Sequence, residues 1–135
     1  MSGSEAEPSL RWFVDESMIA IGKALAAVRS DLVYPGHRAC PIERGMADEE
    51  WLPIIGANGW TVLMRDKRIR YRKPERDRLM AHGVKAFCLT ASGNQSRWDM
   101  LQLLVRHWDR IEDAAQFPGP FIYGVSSGGL RKLAP

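Results

Sequence analysis

The sequence predicts an α/β fold, a three-layer α/β/α sandwich around a mainly parallel central sheet of four to five strands. The first observation is that short apolar runs, rich in β-branched and aromatic residues, alternate with segments whose apolar residues recur at helical spacing. The second is that the first of these runs, Trp12-Phe-Val14, is continuously apolar, as expected of a strand covered on both faces. Parallel neighbours need crossover helices, and such crossovers are nearly always right-handed, so right-handed connections are expected throughout.

The predicted elements begin shortly after residue 10. Strands are expected at 12–14, 32–34, 60–64, 84–90 and 121–125, and helices at 18–28, 48–58, 74–82 and 97–115. Ser17 is a suitable N-cap for the first helix. The last helix carries Trp98 and Trp108 on an apolar stripe, so both tryptophans are predicted to lie in the core.

One domain is expected from a chain of 135 residues, 45% hydrophobic and 26% charged. Residues 1–9 are predicted to be a disordered lead, residues 10–125 the domain, and residues 126–135 a polar C-terminal tail. Cys40 and Cys88 are too few for a disulfide framework, which indicates a reducing compartment. The first residues lack the basic start and apolar core of a signal peptide, so we expect a soluble cytoplasmic protein without a membrane segment.

Positive charge is concentrated in residues 65–78, which hold eight Lys or Arg against three Asp or Glu. The basic run there consists of Lys67, Arg68, Arg70, Arg72 and Lys73. A local patch of this kind can bind the phosphates of a nucleic acid, and a solvated surface helix is the alternative interpretation.

Three polar residues follow predicted strands. Asp15 ends the first strand, Asp66 ends the third, and Asn94 follows the fourth. In open parallel sheets the functional crevice lies at the carboxyl ends of the strands, so these residues are expected at one edge. Asp48 begins the helix that leads into the third strand. Carboxylates are preferred ligands of Mg²⁺ and Mn²⁺, which catalyse phosphodiester cleavage. Taken singly, each acid can also be structural, as a helix cap or an ion-pair partner.

Three motifs carry a resemblance to a known family: Phe13-Val-Asp15-Glu16, Ala47-Asp48-Glu49-Glu50, and the segment from Thr61 to Lys67. Together they resemble the PIN-like nuclease superfamily, in particular its branch of VapC-type toxins. The resemblance implies a Mg²⁺- or Mn²⁺-dependent ribonuclease, the toxin of a type II toxin–antitoxin pair. The implied catalytic and metal-binding residues are Asp15, Asp48 and Asp66, with Glu16 and Glu49 as auxiliary candidates.

The implied partners are an RNA substrate and a small antitoxin that covers the acidic edge by inserting an Arg or Lys. A homodimer is compatible with the resemblance. The basic run after Asp66 is predicted to guide RNA toward the acids.

One departure leaves a second function open. Many PIN nucleases use four acids, but after Asp77 the next acid is Asp99, inside a predicted helix. Asn94 is the auxiliary candidate for that position, and an amide is a weaker metal ligand than a carboxylate. The alternative is a catalytically weakened PIN-like domain that binds RNA or protein.

Other classes of site have weaker support. The chain has neither the Gly-x-Ser-x-Gly turn of serine hydrolases nor a P-loop. His37 and Cys40 have the spacing of zinc ligands, but too few further ligands accompany them.

Overall fold

The structure is a computed structural model that describes residues 9–65, 72–90 and 95–135. The strands are β1 (Trp12–Val14), β2 (Leu32–Val33), β3 (Thr61–Arg65), β4 (Lys85–Leu89), β5 (Phe121–Ser126) and β6 (Gly129–Ala134). A 3₁₀ turn (Glu16–Met18) precedes helices α1 (Ile19–Ala26), α2 (Asp48–Asn58), α3 (Lys73–Ala81), α4 (Arg97–Arg106) and α5 (Trp108–Ala115). Except for Ser9, the predicted disordered lead lies outside the described residues.

The strands form one six-stranded sheet in the order β2-β1-β3-β4-β5-β6. The neighbouring strands β2, β1, β3, β4 and β5 all pair in parallel, and β6 pairs antiparallel to β5. At the centre, Phe13 of β1 is in register with Val62 of β3, and Val62 with Ala86 of β4. The predicted mainly parallel α/β sheet is therefore confirmed.

The sheet separates two apolar clusters. On one face, α1, α4 and α5 pack against strand residues that include Trp12, Leu63 and Phe87. On the other face, α2 and α3 pack against strand residues that include Phe13 and Val62. Successive residues of one strand thus enter opposite clusters, as the pleat requires. The result is the predicted three-layer sandwich.

The crossover from β4 to β5 departs from the expected handedness. The steps from β3 to β4 and from β4 to β5 run in the same direction along the sheet. The first crosses through α3 on one face and the second through α4 and α5 on the other. These two connections therefore have opposite hands, and the expectation of right-handed crossovers throughout is wrong.

The segment predicted as a polar tail is strand β6. Ser126 pairs with Gly129, so Ser127 and Gly128 form a two-residue hairpin connection. Gly129 has a φ of 112°, a value that an L side chain rarely adopts. The Ser-Gly-Gly run is a hairpin signal, and the ordered fold continues to residue 134.

The predicted helix 97–115 is divided at His107, whose backbone leaves helical geometry. Trp98 is 65% exposed and Val105 is 62% exposed, so the prediction of a core position for Trp98 is wrong. Trp108 is partly buried against the core. The helix carries a second apolar face, formed by Met100, Leu103 and Leu104, and that face packs on the sheet. Periodicity alone does not decide which of two apolar faces turns inward.

Parallel pairing brings the ends of β1 and β3 to the same edge. Asp15 follows β1 directly, and its backbone N–H donates to the carbonyl oxygen of Leu63 in β3 at 2.9 Å. Arg65 is the last residue of β3. Among the described residues, no helix has the length and apolar character needed to cross a membrane.

Candidate active site

A cavity of about 960 Å³ opens at the carboxyl ends of β1 and β3. Its walls come from both strand ends, the 3₁₀ turn, the loop between β2 and α2, and the first turns of α2 and α3. The lining residues are Phe13, Asp15, Glu16, Ser17, Pro35, Ile42, Glu43, Arg44, Met46, Asp48, Trp51, Met64, Arg65, Arg72 and Glu75. Asp15 and Asp48, 33 residues apart in the sequence, thus face one cavity.

Asp15 is held by the turn that it begins. Its Oδ2 accepts hydrogen bonds from the backbone N–H of Ser17 at 3.2 Å and from the Ser17 hydroxyl at 2.6 Å. Asp15, rather than Ser17, is the N-cap residue, and it caps the 3₁₀ turn. Its Oδ1 has no hydrogen-bond partner among the described residues. Among the described residues, one oxygen is therefore fixed and the other has no competing hydrogen bond.

Asp48 is the first residue of α2, and both of its carboxylate oxygens are engaged. Oδ1 accepts from the indole N–H of Trp51 at 3.0 Å, and Oδ2 lies 3.1 Å from a guanidinium nitrogen of Arg78 on α3. The Asp48 side chain is 49% exposed. A cation that binds Asp48 there competes with an existing counter-ion.

Glu16 holds a loop. Its Oε1 accepts a short hydrogen bond from the backbone N–H of Gly45, in the loop between β2 and α2. Gly45 has a φ of 82°, which favours glycine at this bend. The contact keeps Arg44 and Met46 at the cavity wall. Glu49 is exposed on α2 and does not line the cavity.

Several predicted site residues lie outside the described residues: Asp66, Lys67, Arg68, Arg70 and Asn94. Of the remaining basic run, Arg72 lines the cavity and has a nitrogen 3.8 Å from Glu75 Oε1. Lys73 instead pairs with Asp77 at 2.8 Å and does not line the cavity.

Four charged cavity residues were not among the predicted site residues: Glu43, Arg44, Arg65 and Glu75. Oε2 of Glu75 is buried and has no hydrogen-bond partner among the described residues. Its position in the first turn of α3, within the basic segment 65–78, was the one available signal. Glu43 and Arg44 reach the cavity through the folding of a loop, for which the sequence has no periodic pattern.

The donor chemistry fits a hard divalent cation, because five of the fifteen lining residues are Asp or Glu and supply carboxylate oxygens. Within residues 9–65, 72–90 and 95–135, however, no three His, Cys, Asp or Glu side chains are close enough to hold one ion. A site of three acids therefore depends on Asp66. Asp15 Oδ1 is the oxygen best placed to bind a cation without breaking a contact among the described residues.

His37 and Cys40 do not form a zinc site with other described residues. Nδ1 of His37 accepts from the backbone N–H of Ala39 at 3.0 Å. Burial raises the pKa of the Cys40 thiol, an effect partly offset by a backbone hydrogen bond at Ile42. A raised pKa disfavours the thiolate that zinc binds.

Comparisons with known proteins agree with this fold. A family model described as "PIN like domain" matches residues 10–91, more than half of the chain. A protein of Mycobacterium tuberculosis (strain H37Rv), named "Putative ribonuclease VapC45", is 32% identical over 95 residues. That alignment covers 67% of this chain and 64% of the relative, slightly less than two thirds of the relative's length. No solved structure matches the chain.

Proposed function

We propose, from the premise that this chain belongs to the PIN-like domain family, that it is a metal-dependent endoribonuclease. In this proposal Asp15, Asp48 and Asp66 bind Mg²⁺ or Mn²⁺ and support cleavage of RNA phosphodiester bonds. The observation that carries the proposal is the shared cavity of Asp15 and Asp48, at the strand ends where the chain continues to Asp66. The name of the similar mycobacterial protein supports the same activity class.

The cavity combines acids with cations in the way that phosphodiester cleavage requires. A bound divalent cation would supply polarisation of the phosphoryl oxygen and a more acidic water. Asp15 offers an oxygen that no described residue binds, and Asp48 offers one if the cation displaces the Arg78 guanidinium group. Arg44, Arg65 and Arg72 line the same cavity and can bind non-bridging phosphate oxygens. The acids thus hold the metal and the arginines position the backbone.

RNA cleavage with and without Mn²⁺ tests the acids. Asp15→Asn, Asp48→Asn and Asp66→Asn should each lower the cleavage rate of wild type at least about 100-fold, since an amide carries no charge for the cation. Asp113→Asn is the matched control, because Asp113 is exposed on α5 and does not line the cavity. Cleavage that persists in EDTA, or in Asp15→Asn, would rule out this mechanism.

Salt dependence of RNA binding tests the arginines. The slope of log affinity against log salt is negative, and in EDTA Arg44→Gln and Arg72→Gln should each make it shallower by about 0.7 for a single-stranded RNA. Lys73→Gln is the control, because the Lys73 ammonium pairs with Asp77 away from the cavity. Equal slopes in all three variants would contradict a phosphate-binding role for the cavity arginines.

We further propose that the activity is that of a toxin in a type II toxin–antitoxin pair. The support is the VapC name of the similar protein and the acidic cavity, in which Asp15 Oδ1 has no hydrogen-bond partner within the described part of the chain. A small antitoxin that inserts an Arg or Lys would pair with that oxygen. Expression of the chain should arrest growth of a bacterial host, and Asp15→Asn should abolish the arrest.

The alternative function is RNA or protein binding without cleavage. It is favoured by the engagement of both Asp48 oxygens and by the lack of a three-acid cluster within the described residues. Binding of RNA by wild type with no cleavage in Mn²⁺ would select this alternative.

A further inference from the structure

The hydroxyl group of Ser17 connects the two strand ends that form the cavity. It donates to Asp15 Oδ2 at 2.6 Å and accepts from the backbone N–H of Arg65 at 3.3 Å. The backbone N–H of Ser17 donates to the same Asp15 oxygen at 3.2 Å. Ser17 is 48 residues before Arg65, so this is a tertiary contact and not only a local turn.

The direction of each hydrogen bond is fixed by the chemistry of the groups. An ionised carboxylate only accepts and a backbone N–H only donates, whereas a hydroxyl does both. The Ser17 proton therefore points to Asp15, and a Ser17 lone pair faces Arg65. The 2.6 Å separation lies in the range of charge-assisted O–H···O⁻ bonds, which are stronger than bonds between neutral groups.

Two consequences follow for the cavity. Both donors of Ser17 go to Oδ2, so the Asp15 carboxylate is fixed in rotation and no described residue binds Oδ1. Arg65 is the last residue of β3, so Ser17 also holds the backbone at the end of that strand. In metal sites, partners that orient a ligand in this way are commonly worth 10- to 100-fold in metal affinity.

We propose that Ser17 is the positioning residue of the divalent-cation site, an inference that rests on the proposed function. It selects Oδ1 of Asp15 as the metal-binding oxygen and sets the separation between Asp15 and the end of β3. Ser17 acts only through these two groups.

Calorimetric titration of the full chain with Mn²⁺ tests this proposal without a cleavage assay. Ser17→Ala should weaken Mn²⁺ binding about 10- to 100-fold. Ser17→Thr retains the hydroxyl and should stay within about threefold of wild type. Ser127→Ala, in the exposed hairpin connection, is the matched control and should bind like wild type.

A second, metal-free measurement reports on the contact itself. Hydrogen exchange at the Arg65 amide should be faster in Ser17→Ala than in wild type and Ser17→Thr, because Ser17 Oγ accepts that proton. A merely structural role would lower the urea midpoint of Ser17→Ala while leaving its Mn²⁺ affinity unchanged.

The outcomes separate the two proposals. If wild type binds Mn²⁺ and Ser17→Ala binds it equally well, the role of Ser17 is refuted and the proposed function stands. If Ser17→Thr binds as weakly as Ser17→Ala, the hydroxyl is not the cause and the proposal is also refuted. If wild type and Asp15→Asn both fail to bind Mn²⁺, the proposed metal chemistry fails, and the inference about Ser17 fails with it.

Discussion

Replacing Arg78 by glutamine is predicted to tighten Mn²⁺ binding. Arg78 lies 3.1 Å from Asp48 Oδ2, and Trp51 occupies the other Asp48 oxygen. A metal ion that binds Asp48 must displace the guanidinium group, so the native ion pair competes with the metal. Glutamine removes the competing charge and leaves a shorter, polar side chain.

The size of the effect follows from the exposure of the pair. The Arg78 and Asp48 side chains are 40% and 49% exposed, so solvent screens their attraction. Exposed ion pairs contribute about 0.2–1 kcal/mol, and 1.4 kcal/mol corresponds to a tenfold change in affinity. Loss of the competing pair should therefore tighten Mn²⁺ binding about 1.5- to 5-fold. The gain should shrink in high salt, because the screened pair then competes less.

Calorimetry of Mn²⁺ binding at low salt measures this difference. Arg131→Gln is the charge-matched control, because Arg131 is exposed on β6 and does not line the cavity. Tighter binding in Arg78→Gln than in Arg131→Gln identifies Arg78 as a competing counter-ion. Weaker binding in Arg78→Gln would mean that Arg78 orients Asp48 for the metal, and the reasoning above would be refuted.

Three further predictions concern the fold. Glu112→Gln should lower the free energy of unfolding by about 1–2 kcal/mol in urea titrations, because the Glu112 carboxylate accepts hydrogen bonds from two arginines and from Trp108. A free energy of unfolding equal to that of wild type within error would contradict this. Alkylation of Cys40 at pH 8.5 should be slower than that of an exposed thiol, because burial raises its pKa. The neutral Cys40 thiol should contribute its full stability below the pKa of this thiol in the unfolded chain. That contribution should be lost as the pH rises through the higher pKa in the folded protein, and a free energy of unfolding that does not change over this pH range would contradict the prediction. Truncation after Ser126 should lower the melting temperature sharply or abolish soluble expression, because it removes β6 and turns β5 into an unprotected edge strand that pairs only with β4; a truncated chain with native Tm would refute it.

The parallel part of the sheet could be predicted because its strands are mainly apolar. Phe13 and Val62 belong to one apolar cluster and Leu63 to the other. The apolar composition of these segments therefore predicts burial on both faces of the sheet. The exposed face of α4 could not be predicted, because Trp98 and Met100 lie on two different apolar faces of one helix. Only the packing of α4 against α1 and the sheet selects between them.

The candidate site could be predicted where strand ends determine it. Asp15 directly follows β1 and lines the cavity, as the rule for parallel sheets predicts. The same rule predicts the position of Asp66, which lies outside the described residues. Arg44 could not be predicted in this way. Its position depends on the hydrogen bond between Glu16 and Gly45, which joins residues far apart in the sequence. The Arg78 contact with Asp48 likewise connects two helices and has no local signature.

The three residues that follow β1 each contact a different part of the cavity, and together these contacts connect its walls. The chain enters a 3₁₀ turn at Glu16, so successive side chains point in different directions rather than alternating as in a strand. Asp15 faces the cavity, Glu16 holds the loop that carries Arg44, and Ser17 connects to the end of β3. Glu16 is thus a loop-holding residue whose carboxylate is already engaged. Its replacement by glutamine should weaken RNA binding through Arg44 while leaving Mn²⁺ affinity unchanged, and a loss of Mn²⁺ affinity would instead make Glu16 a metal ligand.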